Sequence, residues 1–286
     1  MASSDDVDEA GGLSQEPDAT LDTVERAMVE VVAAPSAAVF TEGAQVGRYV
    51  LGARLGSGAM GVVWAAHDPQ LDRKVALKIL RRSVRGPAGS EAAARAAREA
   101  RALARLVHPN IVAVHDGGLD GETLYVVMEY VDGVTLRAYL AAERRSFDTI
   151  VDVFVQAGAG LAAAHDAGLV HRDFKPDNVL VGHDGRVRVA DFGLAQIAGT
   201  ADTPDVVGTP GFMAPEQLDR GDVDQRADQF AFAVSWWAAA YEIAPFSGAT
   251  LAERRASIEA GPRVGDRGVP RWLHAILPAG IKVVVA

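Results

Sequence analysis

The chain has 286 residues, of which 49% are hydrophobic, and a net charge of −10, so it is long enough for one or two domains with a buried core. The negative charge argues against a globally basic nucleic-acid-binding protein, and the absence of cysteine excludes disulfides, thiolate metal sites and cysteine nucleophiles. The first ten residues are acidic, unlike a signal peptide, and the longest near-apolar stretch, Phe230–Ala240, is shorter than the ~20 residues that span a bilayer. We therefore expect a cytoplasmic protein with no transmembrane segment and no nucleic-acid partner.

Almost all of the excess charge lies at the amino terminus. Residues 1–45 contain ten acidic residues and one basic residue. This segment is rich in Ser, Gly, Ala and Asp, and such a composition lacks the apolar area that offsets the entropy of ordering. We predict a disordered acidic tail over residues 1–45. A short helix around Leu21–Val32 with a docking or autoinhibitory role is the alternative to a purely solvated tail.

From Gly47 onward, the patterns change from strand-like to helical. The early runs place Val, Ile and Trp among small residues, which is typical of strands, and one run rich in Ala, Leu and Arg is typical of a helix. The predicted strands are Tyr49–Leu55, Gly61–Ala66, Lys74–Leu80, Ile111–His115 and Thr123–Tyr130, and the predicted helices are Ser90–Val107, Thr149–Ala167 and Ala227–Glu242. A β-rich first part followed by a helical second part indicates the α+β class.

A glycine-rich run, Leu55–Val63, contains Gly56, Gly58 and Gly61. Glycines let backbone N–H groups approach phosphate oxygens closely. A dinucleotide-binding loop has the same spacing, but it opens a helix and is followed about 20 residues later by an acid. Here a strand-like Val-Val-Trp follows the glycines, and residue 78 is a lysine. We interpret the run as a hairpin that covers phosphates, with a simple glycine-rich turn as the alternative.

Lys78 ends the run Val75–Lys78, and strand alternation points it to the same face as Ala76. A lysine on an inward face needs an anionic partner. Glu99 falls on the apolar face of the predicted helix Ser90–Val107, so it is a candidate for that partner. We predict a Lys78–Glu99 ion pair whose ammonium also holds a phosphate, with two solvated charges as the alternative.

The densest chemistry lies in His171–Asn178, where Asp173, Lys175 and Asn178 fall within six residues. The carboxylate can accept a hydroxyl proton, the ammonium can neutralise a transferred phosphoryl group, and the amide oxygen can bind Mg²⁺. Asp191 follows 13 residues after Asn178. The intervening residues read as a hairpin that turns at residues 184–185, which brings Asn178 and Asp191 together.

Taken in this order, the motifs resemble the signature set of the Hanks-type (eukaryotic-like) serine/threonine protein kinases in their bacterial form. The motifs that carry the resemblance are Gly56–Val63, Val75–Lys78, His171–Asn178, Asp191–Gly193 and Ala214–Glu216. The resemblance implies a bilobal protein-kinase fold within the α+β class, with a β-rich N-lobe over residues 46–130 and a helical C-lobe over residues 131–286. The run from Gly208 to Phe212 is similar to the Ser/Thr class rather than the tyrosine class.

The resemblance also implies roles for individual residues. The implied catalytic residues are Lys78, Glu99, Asp173, Lys175 and Thr209, and the implied metal ligands are Asn178 and Asp191. The implied ATP-binding residues are Leu55, Gly56, Ser57, Gly58, Ala59, Met60, Gly61, Val63, Ala76, Lys78, Met128, Glu129, Val131 and Leu180. In this scheme Met128 is the gatekeeper, and the backbone of Glu129 and Val131 binds adenine. The implied cofactors are ATP and Mg²⁺, with Mn²⁺ as an alternative.

Regulation by phosphorylation is a further implication, because family members with an arginine before the catalytic aspartate often need a phosphate on the activation segment. Arg172 occupies that position, and Thr200 and Thr203 are the candidate phosphosites. Autophosphorylation there would order the segment through charge-assisted bonds to Arg172. A transient homodimer would serve autophosphorylation in trans. A flexible polar loop is the alternative.

The carboxyl terminus departs from the family pattern. Kinases of this family continue into a terminal helical region, whose arginine pairs with the glutamate at the position of Glu216. Residues 278–286 do not resemble that region. We therefore expect a C-lobe that looks C-terminally truncated, with Glu216 lacking its partner and apolar surface exposed.

The function implied by the resemblance is transfer of the ATP γ-phosphoryl group to Ser or Thr hydroxyls of protein substrates, in signalling. A catalytically impaired kinase-like binding module is the alternative, because of the altered carboxyl terminus. A small-molecule kinase is a third reading, which the peptide-platform motif from residue 208 to residue 216 disfavours.

Overall fold

The computed structural model describes residues 40–58, 61–80, 106–121, 123–192, 210–219 and 221–282, all within the compact unit Phe40–Ala286. Most of the predicted acidic tail and all but the end of the predicted helix Ser90–Val107 lie outside these residues. Six site predictions also lie outside them, namely Ala59, Met60, Glu99, Thr200, Thr203 and Thr209.

The first part of the described chain forms a six-stranded antiparallel sheet. Its strands are β1 (Gln45–Val46), β2 (Tyr49–Gly58), β3 (Gly61–Asp68), β4 (Arg73–Leu80), β5 (Val114–Asp120) and β6 (Thr123–Glu129). They lie in the order β1-β2-β3-β4-β6-β5. The predicted strands at β2, β3, β4 and β6 are therefore confirmed, and β4 and β6 bury residues on both faces of the sheet.

Alternate residues of β4 enter two different apolar cores. Val75 and Leu77 pack with Tyr49 and Trp64 on one face of the sheet. Ala76 and Leu80 face the opposite way and pack into the core that continues into the helical part. Lys78 shares this second face, because side chains alternate along a strand. The alternation predicted from Val75–Lys78 is thus what turns Lys78 toward the helical part.

The predicted strand Ile111–His115 is wrong in its placement, because β5 begins at Val114. Ile111 instead forms an isolated parallel bridge with Val189. Val112 N donates to Val189 O (2.9 Å), and Val189 N donates to Asn110 O (2.9 Å). The segment before β5 is therefore paired with a distant strand, which local sequence patterns do not reveal.

The second part consists of helices and a small sheet. Its elements are β7 (Gly133–Thr135), α1 (Leu136–Ala142), α2 (Phe147–Asp166), a 3₁₀ turn (Pro176–Asn178), β8 (Val179–Gly182), β9 (Val187–Val189), α3 (Pro215–Leu218), α4 (Gln225–Tyr241), α5 (Leu251–Ala260) and α6 (Arg271–Lys282). The antiparallel strands β7, β8 and β9 form the small sheet in that order. The predicted hairpin between Asn178 and Asp191 is confirmed as β8–β9, whereas α1, α5 and α6 were not predicted.

Helices α2 and α4 begin two residues before their predicted starts, because capping side chains precede them. Ser146 accepts a hydrogen bond from Thr149 N at the start of α2, and Asp224 accepts one from Arg226 N at the start of α4. Each cap satisfies a backbone N–H group that has no partner within the helix.

Helix α2 is the one candidate membrane span found among the described residues, with a mean hydropathy of 1.3 over its most apolar 18-residue window. It meets that criterion by length and composition only. Its buried residues include Phe154, Ala157, Leu161 and Ala164, which belong to the main core. Packing against the main core accounts for the apolar composition of α2, although the longest near-apolar stretch of the sequence, Phe230–Ala240, lies elsewhere.

Helix α6 covers part of the segment that departs from the family pattern. Leu273 and Ile281 are buried against the core of α4, around Trp237 and Tyr241. Trp272 and Ile276 are about half exposed. Helix α6 therefore buries some apolar residues, Ile281 of the departing segment among them, and leaves Trp272 and Ile276 partly exposed.

A close approach between α2 and the segment before β5 requires glycine at position 160. A Cβ on Gly160 would lie 2.3 Å from Asn110 O, whereas a Cβ on Gly158 would lie 3.4 Å from the Phe232 ring. We expect Gly160→Ala to lower the free energy of unfolding by ~1–3 kcal/mol through overpacking. Gly158→Ala, on the same helix, should be neutral or stabilising by up to ~1 kcal/mol. Urea unfolding measures both, and an equal effect of the two variants would contradict this account.

Candidate active site

Lys78 and Asp191 meet where the large sheet contacts the small one. In the β4 register Lys78 lies opposite Val63 of β3 and Val126 of β6, and its side chain is buried. Lys78 Nζ lies 2.7 Å from Asp191 Oδ2, although 113 residues separate them in sequence. The buried ammonium therefore has a carboxylate partner within the described residues.

The Lys78 ammonium keeps the Asp191 carboxyl ionised despite its burial. Burial by itself raises the pKa of Asp191, but the charge and hydrogen bond of Lys78 outweigh this effect, with smaller contributions from His171 and Lys175. The net pKa of Asp191 lies below its ordinary value. Asp191 also adopts a left-handed backbone conformation, with φ of 66°. The result is a carboxylate oxygen donor just after β9, whose ionised form Lys78 favours.

Asp173, Lys175 and Asn178 form one hydrogen-bonded group in the loop before β8. Lys175 Nζ lies 3.0 Å from Asp173 Oδ2. Asn178 Nδ2 donates to Asp173 O (2.8 Å) and to Asp173 Oδ2 (3.2 Å). The 3₁₀ turn, which begins at Pro176, makes this grouping possible because it folds the amide back over the carboxylate.

The hairpin β8–β9 brings this loop beside Asp191. Asn178 O accepts a hydrogen bond from Ala190 N (2.8 Å), so the residues before β8 and after β9 are adjacent. The structure thus brings Lys78, Asp173, Lys175, Asn178 and Asp191 to one region, from three separate parts of the sequence.

A buried carboxylate on α4 holds the loop from beneath. Asp228 Oδ2 accepts a hydrogen bond from His171 N (2.7 Å), and Oδ1 accepts one from Arg172 N (2.7 Å). His165 Nε2 lies 2.8 Å from Asp228 Oδ2. This anchoring role of Asp228 was not predicted from the sequence. An acidic residue at the start of the apolar run Ala-Asp-Gln-Phe-Ala-Phe does, however, indicate a buried carboxylate that needs partners.

Gln217 was also missed, and it connects the platform segment to the same loop. Its Nε2 donates to Arg172 O (2.8 Å), and its Oε1 accepts from Ala214 N (3.0 Å). Arg172 adopts a left-handed conformation, with φ of 67°, and backbone bonds fix it on both sides. Glu216, which precedes Gln217, forms no ion pair within the described ranges.

Most of the predicted adenine-contacting side chains share one apolar cluster. Ala76 and Met128 belong to its buried core, and Val63, Val131 and Leu180 pack against it. Leu55 lies apart, with 48% of its surface exposed. The cluster joins the second face of the large sheet to β8, so it provides an apolar lining next to Lys78.

The predicted phosphate loop lies in the hairpin between β2 and β3. A Cβ on Gly56 or Gly58 would meet nothing within 4 Å, so the space beside these two glycines is open. Ser57 lies between them and pairs with Val62 in the β2–β3 register. Gly61 has a different constraint, because a Cβ there would lie 2.0 Å from Ile79 O. Gly61 is therefore required by strand packing independently of any phosphate.

The donor chemistry of Asn178 and Asp191 fits a magnesium ion bound together with a nucleotide. No group of three His, Asp or Glu side chains that could hold a metal is found among the residues that the structure describes. Mg²⁺ prefers oxygen ligands and commonly uses one or two carboxylates with substrate phosphates rather than a cage of protein groups. One amide and one ionised carboxylate satisfy that preference.

Removing the Asp228 carboxylate should loosen the loop that carries Asp173. We expect Asp228→Ala to lower the free energy of unfolding by at least ~2 kcal/mol, because His171 N and Arg172 N lose a charged partner. Asp224→Ala removes an exposed cap from the same helix and should cost ~1 kcal/mol. Chemical denaturation compares them, and an Asp228→Ala effect no larger than that of Asp224→Ala would contradict the anchoring role.

Comparisons with known proteins agree with this geometry. The family model for the protein kinase domain matches residues 49–264. Serine/threonine-protein kinase PknL of Mycobacterium tuberculosis is 40% identical over 206 residues, which are 70% of this chain and 51% of PknL. The chain therefore spans about half the length of this relative.

Two solved structures are also similar. The kinase domain of Mycobacterium tuberculosis PknI is 31% identical, with a TM-score of 0.58, and the match covers 77% of this chain and 86% of that one. Residues 1–466 of Rad53 in complex with AMP-PNP are 26% identical, with a TM-score of 0.68, over 81% of this chain and 59% of that one. The chain has the predicted protein-kinase fold, and it belongs to the protein kinase family as a member of the bacterial Hanks-type serine/threonine group.

Proposed function

We propose that this chain is an ATP-dependent protein kinase that phosphorylates Ser and Thr hydroxyls of protein substrates. The observation that carries the proposal is the meeting of the Lys78–Asp191 ion pair with the Asp173–Lys175–Asn178 group, which gathers two ammonium groups, two carboxylates and an amide around one region. Membership of the kinase family supports the same activity. A cytoplasmic location belongs to the proposal, since the reaction needs a compartment that supplies ATP.

Each side chain of the site has its own proposed role in the transfer step. The acceptor hydroxyl oxygen forms a bond to the γ-phosphorus, the bond from that phosphorus to the β–γ bridging oxygen breaks, and ADP leaves. Asp173 orients the hydroxyl and receives its proton. Lys175, 3.0 Å from Asp173, is placed to neutralise the transferred group. Lys78 holds the α- and β-phosphates. Catalysis on this scheme is positioning and charge neutralisation.

Asn178 and Asp191 are the proposed ligands of Mg²⁺, with Mn²⁺ as a substitute. When bound, the ion neutralises charge on the nucleotide phosphates. The lowered pKa of Asp191 supports this role, because the carboxylate needs no deprotonation before it coordinates.

The adenine ring is proposed to lie in the apolar cluster between Ala76 and Leu180, with Met128 as gatekeeper. Edge contacts come from the backbone of Glu129, the last residue of β6, and from that of Val131, two residues later. Leu55 would have to close over the ring from an exposed position.

Autophosphorylation at Thr200 or Thr203, in a transient homodimer, is a further part of the proposal. Arg172 is the proposed partner of the phosphate, since its backbone is held by Asp228 and Gln217 beside Asp173. Phosphopeptide mapping of active protein that finds neither threonine modified would contradict this part.

Replacing the proposed base should abolish most transfer while the nucleotide still binds. We expect Asp173→Asn to lower incorporation of ³²P from γ-labelled ATP by ~10²–10⁴-fold. Exposed Asp166, at the end of α2, provides the control, and Asp166→Asn should retain full activity. Wild-type protein that binds ATP but incorporates no more label than Asp173→Asn would establish the impaired binding module instead.

Magnesium removal should stop transfer reversibly. We expect a chelator to eliminate ³²P incorporation and added Mg²⁺ to restore it, because two protein oxygens alone hold the ion weakly. Asp191→Asn should raise the Mg²⁺ concentration for half-maximal nucleotide binding, since it removes a charged ligand. A magnesium titration followed by nucleotide fluorescence measures this shift, and an unchanged midpoint would exclude Asp191 as a ligand.

A further inference from the structure

Arg188 is a buried cation that the proposed chemistry does not use. It is the middle residue of β9 and is 6% exposed. Its neighbours Val187 and Val189 are buried apolar residues of the main core. A charge in such a place is costly unless charged partners surround it, so its contacts indicate what it holds in position.

The guanidinium bridges two carboxylates from different parts of the chain. Nη1 and Nη2 donate to Asp184 Oδ1 (3.2 Å) and Oδ2 (2.7 Å), which is a two-pronged contact within the β8–β9 hairpin. Nε lies 3.1 Å from Glu129 Oε1 at the end of β6. All three guanidinium nitrogens are therefore engaged by carboxylates. A lysine ammonium at this position could not reproduce these contacts, because it is a single point charge rather than a planar fork.

One end of this bridge, Glu129, belongs to the proposed adenine site, and Arg188 itself lies beside another residue of that site, Leu180. Glu129 is the residue whose backbone is proposed to contact the adenine edge, and its own N–H donates to Ala113 O (2.8 Å). Arg188 lies directly opposite Leu180 in the β8–β9 register. Directly opposed residues share one face of the sheet, so the bridge runs along the face that presents Leu180 to the cluster.

We infer that Arg188 is a positioning residue of the nucleotide site, which fixes the backbone at Glu129 at a set distance from Leu180. The inference rests on the proposed function, since it assumes that a nucleotide occupies this cluster. Arg188 lies three residues before Asp191, so the proposed metal ligand follows just after the strand that contains Arg188. Loss of the bridge should widen the adenine slot and leave the phosphate-binding groups at Lys78 in place.

This placement predicts a selective loss of affinity for the base. In Arg188→Met, we expect the dissociation constant for ADP to rise about tenfold, whereas that for inorganic triphosphate stays within about twofold. Arg188→Lys should keep only part of the affinity for ADP, because a single ammonium can form one of the two ion pairs but not both. Glu129→Gln should weaken ADP binding in the same direction, and it should add little when combined with Arg188→Met because both remove one interaction.

The matched control is Arg186, on the same hairpin. Its Nε lies 3.5 Å from the same Asp184 carboxylate, but its side chain is exposed, and within the described part of the chain no ion pair joins it to Glu129. Arg186→Met should bind ADP as wild type does. Competition against a fluorescent nucleotide, in buffer with Mg²⁺, measures ADP and triphosphate on every variant, and circular dichroism checks that each is folded.

Three results would overturn the inference: unchanged ADP binding in Arg188→Met, an equal loss in Arg186→Met, or an equal loss of ADP and triphosphate. If Arg188→Met does not fold, Glu129→Gln and Arg188→Lys decide, and unchanged ADP binding in both overturns the inference. Wild-type protein that binds ADP but transfers no phosphate overturns the proposed function alone, whereas wild-type protein that binds no nucleotide overturns both.

Discussion

The ion pair between Lys78 and Asp191, 2.7 Å long, links the large sheet to the residues that follow the small one. Removing two charges from water costs about as much as their attraction returns, so a pair of this kind adds little net stability compared with apolar packing. Its value lies in placement, because it holds an ammonium and a carboxylate rigidly beside the loop that carries Asp173. The two sheets cannot move apart without separating these charges in a site with little water.

The remaining polar groups of the site are held by the same means, which is a buried charge surrounded by fixed donors. Asp228 accepts backbone bonds from the loop, and Arg188 clamps Asp184 and Glu129. Burying either charge alone would destabilise the fold, and each is stable only because all of its hydrogen-bond and ion-pair partners are present. The positions of the side chains in this site are therefore set by hydrogen bonds and ion pairs between different helices and strands. Removing one of these contacts should displace residues that are distant in sequence.

Net charge describes this protein poorly, because the charge is separated along the chain. Residues 46–286 carry 28 acidic and 27 basic residues, so this part of the sequence is almost neutral. Within it, Lys78 and Lys175 lie next to the proposed phosphate positions although the chain has only four lysines. The charges that matter for a nucleotide are thus the local ones at the site, and the net charge of the whole chain does not describe them.

The sequence by itself determined the class of fold, and it predicted the groups that we propose to react. The alternation in Val75–Lys78 sets the facing of Lys78, and the turn at Asp184–Gly185 folds Asn178 back toward Asp191. Both follow from short-range rules of strand and turn geometry. Only the tertiary structure decided the partner of Ile111, the anchoring by Asp228 and Gln217, and the bridge at Arg188. These contacts link residues about 45 to 80 positions apart, as in the Ile111–Val189 and Arg172–Asp228 contacts. No local periodicity encodes such pairs, because they form only when separately folded elements bury their polar groups against one another.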